Sequence, residues 1–259
     1  MAAKVRKTDY LPGYYPGRYT DAVLMAEEYV RRWEKSVIAK NSSPASSFEL
    51  PPTICFSRKI GSGALEIAEI LGQRILHRVA DRMIIEQIAN TADLSKKTVR
   101  HFDERYPGKL FEAGTYLFAE KSFVMSAYVK QLFSTVYALA EAEPTIFVGR
   151  GAHLILPRGS VLAIRIICSN DRRVARLADI LKISKKEAAT KLDEIDREQR
   201  DFFKKTFAKK DAASDEFDLV INCDHIRKPR WAASIVEKAF AEKFTAAVKQ
   251  AAPAPLSGI

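Results

Sequence analysis

Ile54-Cys-Phe-Ser-Arg-Lys-Ile-Gly-Ser-Gly-Ala-Leu-Glu-Ile-Ala68 carries an apolar run into a pair of glycines and out into residues of helical habit. Thr53-Ile-Cys-Phe-Ser57 reads as a short strand, Gly61-Ser62-Gly63 as a turn, and Ala64 to Gln73 as a helix. A strand that runs straight into a helix N-terminus gathers unpaired backbone N–H groups at one spot, which suits an anion such as a phosphate. Glycines allow the dihedrals and the close approach that side chains obstruct. By itself the pattern also fits a plain structural turn.

Outward from this turn, the pattern repeats. Thr145-Ile-Phe-Val148, Leu162-Ala-Ile-Arg-Ile-Ile-Cys168 and Asp218-Leu-Val-Ile-Asn222 are further strands, separated by helical segments. Such alternation predicts parallel βαβ units in an α/β fold, a sheet of about five strands with helices on both faces. Three regions follow from composition: an N-terminal extension over 1–51, a main domain over 52–228, and a C-terminal helix with a disordered tail over 229–259. In the first, Tyr10 to Tyr19 is broken by Pro and Gly, and a helix is expected from Asp21 to Lys40. Val23, Ala26, Val30, Trp33 and Val37 recur there at helical spacing, so this stripe should dock on the main domain or on a second subunit. Asn41 to Ser47 reads as a flexible linker, and 109–142 as long helices rich in aromatics, a second candidate surface for a homodimer.

The chain has 259 residues, 47% of them hydrophobic and 29% charged, a globular balance that excludes a mostly disordered chain. No run of about 18 apolar residues exists to span a membrane, and no secretory signal is visible, so a cytoplasmic location is expected. Cys55, Cys168 and Cys223 are too few and scattered for a disulfide framework or a zinc site and read as buried thiols. His77, His101, His153 and His225 show no metal spacing, so no protein-held metal is expected. The net charge of +10 and a pI near 9.4 raise a nucleic-acid-binding alternative, but no RNA-binding motif or basic-aromatic interleaving supports it. Half of that charge lies in 171–210, with 13 Lys+Arg against 8 Asp+Glu. A basic lid over polyphosphates explains the concentration, and a solvated basic helix pair is the plainer account.

The turn departs from a Walker A motif. Gly63 fits its last glycine, but Ala64-Leu65 stands where Lys-Ser/Thr belongs, and Arg58 takes the place of the first glycine. The lysine for the β/γ-phosphates and the hydroxyl for Mg²⁺ are both absent. Ser57-Arg-Lys-Ile-Gly-Ser-Gly-Ala-Leu-Glu-Ile-Ala68 nevertheless resembles the opening of the cytidylate kinase-like family, relatives of the P-loop nucleoside monophosphate kinases. Its members read Ser-Arg-x-x-Gly-Ser-Gly-Gly-Arg-x-Ile-Ala here and also lack the lysine. Val79-Ala-Asp-Arg-Met-Ile-Ile85, Ile146-Phe-Val-Gly-Arg-Gly-Ala152 and Asp196-Arg-Glu-Gln-Arg200 with Phe202 to Phe207 resemble further family segments in the same order. The likeness covers about 52–226.

What the resemblance implies is a P-loop NTPase-like domain with a helical lid at about 182–212, moving a phosphoryl group from ATP, with Mg²⁺, to CMP or dCMP. Ile60, Gly61, Ser62, Gly63, Ala64 and Leu65 would then cradle ATP, and Arg172 and Arg176 would contact its phosphates or base. Arg150 would grip the acceptor monophosphate, with Asp81 and Arg82 near its base or sugar. From the residues alone, Arg150 could equally be a solvated loop arginine and Asp81 a helix N-cap. The family's Gly-Arg is Ala64-Leu65 here, so even its substitute cation is missing. Arg58, Lys59 or a lid arginine, Arg197 or Arg200, must replace that charge. If none does, the chain is a nucleotide-binding regulator with weakened catalysis.

Overall fold

The computed structural model describes residues 22–41, 50–91, 96–100, 102, 126–209 and 212–244. The expected Tyr10–Tyr19 break, most of the linker, the 109–125 part of the aromatic stretch and the C-terminal tail lie outside them.

Five strands form one parallel sheet in the order β2-β3-β1-β4-β5: β1 (Thr53–Arg58), β2 (Arg78–Asp81), β3 (Thr145–Val148), β4 (Val161–Ile167) and β5 (Leu219–Asn222). All four pairings are parallel, with Ile54 opposite Ile146 on one side and Leu162 on the other. The central strands are covered on both faces, which is why they read as continuous apolar runs rather than alternating ones. The four strands expected from sequence are present within a residue of their bounds. The fifth, β2, is an edge strand, and only its pairing to β3 identifies it.

One face buries Ile54, Phe56, Ile146, Ile164 and Ile166 under α2 (Ala64–Ile75) and the helix here called α8 (Pro229–Lys243). The other buries Cys55, Phe147 and Ala163 under α1 (Ala22–Asn41), α3 (Arg82–Asn90), α4 (Ala127–Ala142) and the single turn α5 (Ala152–Ile155). A third apolar cluster holds α6 (Asn170–Leu181) against the long α7 (Lys185–Phe207), and Ile60 of the glycine turn is part of it. Ser184 caps α7 through a capping box with Glu187, as the sequence signature S-x-x-E predicts.

The stripe on α1 finds its partner within the chain. Ala26, Tyr29, Val30 and Trp33 are buried against α3 and α4. The Tyr29 hydroxyl donates to the Val79 carbonyl at 2.9 Å, and Arg78 lies over the Tyr29 ring while bridging Glu28 and Glu143. The N-terminal helix is therefore a layer of the domain and covers the β2 edge. Trp33→Ala is expected to lower stability to urea by about 3 kcal/mol, the cost of emptying a large core site. A change within about 0.5 kcal/mol would make α1 an appendage instead. Cys55, Cys168 and Cys223 are free thiols, with Cys55 and Cys223 buried and Cys168 half-buried.

Candidate functional site

Because β3 and β4 flank β1 on opposite sides, the chain crosses over β1 and the sheet reverses its winding there. In open parallel sheets the crevice beyond the strand ends at such a point is where ligands sit. The glycine turn and Gly149-Arg150-Gly151 both emerge into it.

Gly61 and Gly63 have φ of +84° and +86°, in the left-handed region where other residues are strained. Space adds to the requirement at Gly61, where a Cβ would stand 3.0 Å from the Arg173 carbonyl oxygen. Gly63 caps α2 with no side-chain hydrogen bond, which leaves the first-turn amides uncapped. The Ser62 hydroxyl is buried in the turn with no hydrogen-bond partner among the described residues. An orphaned donor beside uncapped amides fits the oxygens of a polyphosphate. Ile60 presents its carbonyl here, while its side chain is anchored under α6 and α7. Ala64 and Leu65 are buried in the apolar layer beneath and offer no cation or hydroxyl. Instead Arg176, paired with Glu66 at 2.7 Å, brings its guanidinium carbon to 3.7 Å from where a Gly63 Cβ would lie. Arg172 turns the other way and donates to the Arg227 carbonyl at 3.3 Å.

Arg173, between these two arginines, was not singled out by sequence reasoning. Its side chain is 3% exposed and forks onto both oxygens of Asp196 at 2.8 and 2.6 Å. It also donates to the Ile60 carbonyl at 2.7 Å, so one guanidinium ties α7 to the glycine turn. A second latch runs from Gln199 on α7 to the Arg58 carbonyl at 2.9 Å. α7 is thus held across the crevice by both contacts.

Beneath it the crevice has two chambers that share Gln199 and Phe203 as a wall. Arg58, Arg82 and Arg150 line one, and Lys59, Arg165 and Arg200 line the other. At about 100 Å³ and about 30 Å³ they are smaller than the roughly 300 Å³ or more of a typical ligand site. Neither chamber by itself reaches the size of a nucleoside site with α7 in this position. Arg197 is exposed on α7 and is not among the residues lining either chamber.

Arg150 sits at φ +52°, which aims it back under the lid. Its side chain is 9% exposed, lies 4.2 Å over the Phe202 ring and forms an ion pair with Glu86. Burial pushes the guanidinium down to about 10 against the pull of Glu86, and Arg82 and Arg58 nearby add to the lowering. Such a crowd of cations is unfavourable without an anion among them. Asp81 makes the contacts of a helix cap: its Oδ1 accepts from the Met83 and Ile84 amides at 2.9 and 3.1 Å. It is buried and lines neither chamber.

Arg165 was also missed. It is buried on β4 and donates to Ser57 Oγ at 2.7 Å. A lone arginine inside Val161-Leu-Ala-Ile-Arg-Ile-Ile167 is the signal that could have marked it, since a charge in a covered strand needs a reason. Among the described residues no group of three or more His, Cys, Asp or Glu side chains could hold a metal ion, and no helix is long and apolar enough to cross a membrane.

His153 is buried beside the site, packed against Phe217, with Nε2 3.8 Å from Glu216. His153 and then Lys209 hold the Glu216 carboxyl at about 2 instead of 4.5, while burial lowers the His153 pKa. A depressed carboxylate contributes stability above its unfolded pKa that is lost as pH falls through the folded one. A histidine kept neutral by burial likewise loses stability below its usual 6.5. Glu216→Gln is expected to show a shallower fall of melting temperature between pH 4.5 and 2 than the parent chain. Parallel melting curves would remove this pair from the acid response.

A protein-family model, the cytidylate kinase-like family, matches residues 53–225, and the chain belongs to that family. One solved structure shares the fold. An uncharacterized protein from Eubacterium ventriosum aligns at a TM-score of 0.55 and 17% identity, covering 74% of this chain and 98% of its own. A shikimate kinase from Bacteroides thetaiotaomicron aligns at 0.38 and 13%, covering 74% and 97%. No curated protein matches the chain.

Proposed function

Starting from that family membership, we propose that the chain is an ATP-dependent nucleoside monophosphate kinase that phosphorylates CMP or dCMP. The observation that carries this is the pair of adjoining cationic chambers beyond the ends of β1, β3 and β4, one with three arginines and one with Lys59, Arg165 and Arg200. Phosphoryl transfer asks for positioned positive charge around the moving group more than for an acid or base.

In this reading the amides from Gly61 to Leu65 and the Ser62 hydroxyl hold the ATP phosphates, with Arg176 beside them. Arg172 lies toward the nucleoside. Arg58, Arg82 and Arg150 hold the acceptor phosphate. One of its oxygens forms the new bond to the γ-phosphorus as the bond to the β,γ-bridging oxygen breaks, and ADP leaves. Lys59 and Arg200 face the transferring group. Mg²⁺, when bound with the nucleotide, neutralises the phosphate oxygens. Leu65 stands where a hydroxyl ligand would, so the ion comes with ATP and not through this side chain.

A coupled ADP-release assay with CMP, dCMP, UMP, AMP and GMP, beside ATP-binding calorimetry, tests the proposal. The expected result is turnover highest with CMP or dCMP. ATP binding without turnover on any monophosphate overturns it. The regulatory reading, which the buried apolar Ala64-Leu65 favours, would then stand.

A further inference from the structure

Two of the three cysteines, far apart in sequence, meet at one edge of the sheet. Cys168 directly follows β4 and Cys223 directly follows β5. Parallel pairing sets Ile167 opposite Asn222, so the next residues along the two strands are Cys168 and Cys223. Cross-strand bonds bracket the pair. The Cys223 amide donates to the Ile167 carbonyl at 2.8 Å, and the Asp224 carboxylate accepts from the Ser169 amide and hydroxyl at 2.7 and 3.0 Å. Both side chains take the same face: Cys223 is buried with Ile166 and Ile221 under α2 and α8, and Cys168 packs against that cluster. Neighbouring strands lie about 4.8 Å apart, within the roughly 4.4–6.8 Å between Cα atoms that a disulfide spans. Exposure divides the pair, since Cys168 is half-buried and Cys223 is buried.

We propose that Cys168 and Cys223 form a redox-active dithiol, which closes to an intrachain disulfide when a small-molecule disulfide reaches Cys168. The Cys168 thiolate attacks one sulfur of the reagent, whose other half leaves as a thiolate and takes up the proton that Cys168 released. The Cys223 thiolate then attacks the Cys168 sulfur of this mixed disulfide, and the second half leaves as a thiol with the Cys223 proton. Two protein thiols are oxidised to one disulfide, and one reagent disulfide is reduced to two thiols. Burial pushes the Cys223 thiol up to about 11, and the nearby Cys168 adds to the rise while Arg172 and Arg176 oppose it. Cys168 is raised as well, by burial and then by Asp224, against Arg173, Arg172 and Arg176. Thiolates are therefore scarce at neutral pH, and placement has to make up for it. A partner held in contact acts at an effective concentration no free reagent reaches, and a thiolate of high pKa is the stronger nucleophile. With one exposed partner the bridge is of the labile, reversible kind. It fastens β4 to β5 one residue before Ser169 caps α6, so oxidation acts at the root of the α6–α7 pair. Neither cysteine lines the cationic chambers, and the inference does not depend on the kinase reading. Cys55 is buried in the layer on the opposite face of the sheet and takes no part.

The test treats the reduced full chain with glutathione disulfide, alkylates it with N-ethylmaleimide in denaturant and maps its peptides by mass spectrometry without reduction. Alkylated thiols are expected to fall from three per chain to one, Cys55, with the Cys168 and Cys223 peptides joined. Dithiothreitol should restore all three. Cys223→Ala is expected to stop after the first step, with one glutathione held on Cys168. Cys168→Ser should lose both the adduct and the bridge. A lasting glutathione adduct on Cys168 of the parent chain, with no joined peptides, overturns the proposal and leaves Cys168 a solitary exposed thiol. Three unreacted thiols, or a bridge between two chains, overturns it equally. The parent chain alone gives these readings, so a variant that folds poorly does not decide the outcome.

Discussion

Arg173→Ala is expected to cost about 3–5 kcal/mol of folding stability, the usual penalty for leaving a buried charge without its partner. Asp196 would be the stranded group, since both its oxygens are held by the Arg173 fork. The loss extends beyond the pair. The same guanidinium holds the Ile60 carbonyl, and the Arg173 backbone packs where a Gly61 Cβ would stand, so the turn loses its brace as well. Arg173→Lys should recover little, because an ammonium cannot reproduce a planar bidentate fork. Asp196→Asn should cost less than Arg173→Ala, since it keeps one acceptor and removes one charge. Urea unfolding of the three variants reads these differences. A cost for Arg173→Ala near that of an exposed ion pair, below about 1 kcal/mol, would mean the latch is not closed in solution. Under the kinase reading the lid must open for nucleotide, so a weakened latch should also raise the rate of lid opening while lowering stability.

Much of the fold was legible because parallel strands covered on both faces declare themselves as apolar runs. Thr145 to Val148 is read to the residue, and β1 is extended only by Arg58. β2 was not legible. Its four residues include Arg78 and Asp81, and the same Asp81 ends the strand and caps α3, so the segment carries no periodicity of its own. For Asp81 the residues alone left a cap and an acceptor contact open, and the cap contacts are the ones its Oδ1 makes. The site was legible where backbone requirements dictate residue type, as at Gly61 and Gly63. It was not legible where tertiary partners decide. Arg165 meets Ser57 across 108 residues of chain and Arg173 meets Ile60 across 113, and no local spacing records either contact. The resemblance points to Arg172 and Arg176 and not to Arg173, whose role depends on α7. Glu86 and Tyr128 went unread for the same reason, coming together from two helices 42 residues apart.

The missing turn lysine sets the second large effect. Under the kinase reading, Arg176→Ala is expected to lower turnover on CMP by about 10²–10³, the range for removing one charge donor to a developing transition state. Its guanidinium stands closest to Gly63 and is held there by Glu66, so it occupies the neighbourhood that Ala64 and Leu65 leave without charge. ATP affinity should change far less, because the turn amides are backbone groups that remain in place. Glu66→Gln should lower turnover more mildly by releasing the Arg176 side chain while keeping its charge. Restoring a lysine at position 64 is not the remedy it seems from sequence. Ala64 lies in the apolar layer with Ile67, Ala68 and Ile164, so Ala64→Lys would bury an ammonium there and lower stability before it could help catalysis. Steady-state kinetics and ATP titration on Arg176→Ala separate the alternatives. A fall in kcat with ATP affinity kept assigns the substitute charge to Arg176. A matched loss of ATP affinity instead makes Arg176 a ground-state contact. Wild-type kinetics would move the charge to Arg58 or Lys59, and the damaging substitution would then be Arg58→Ala.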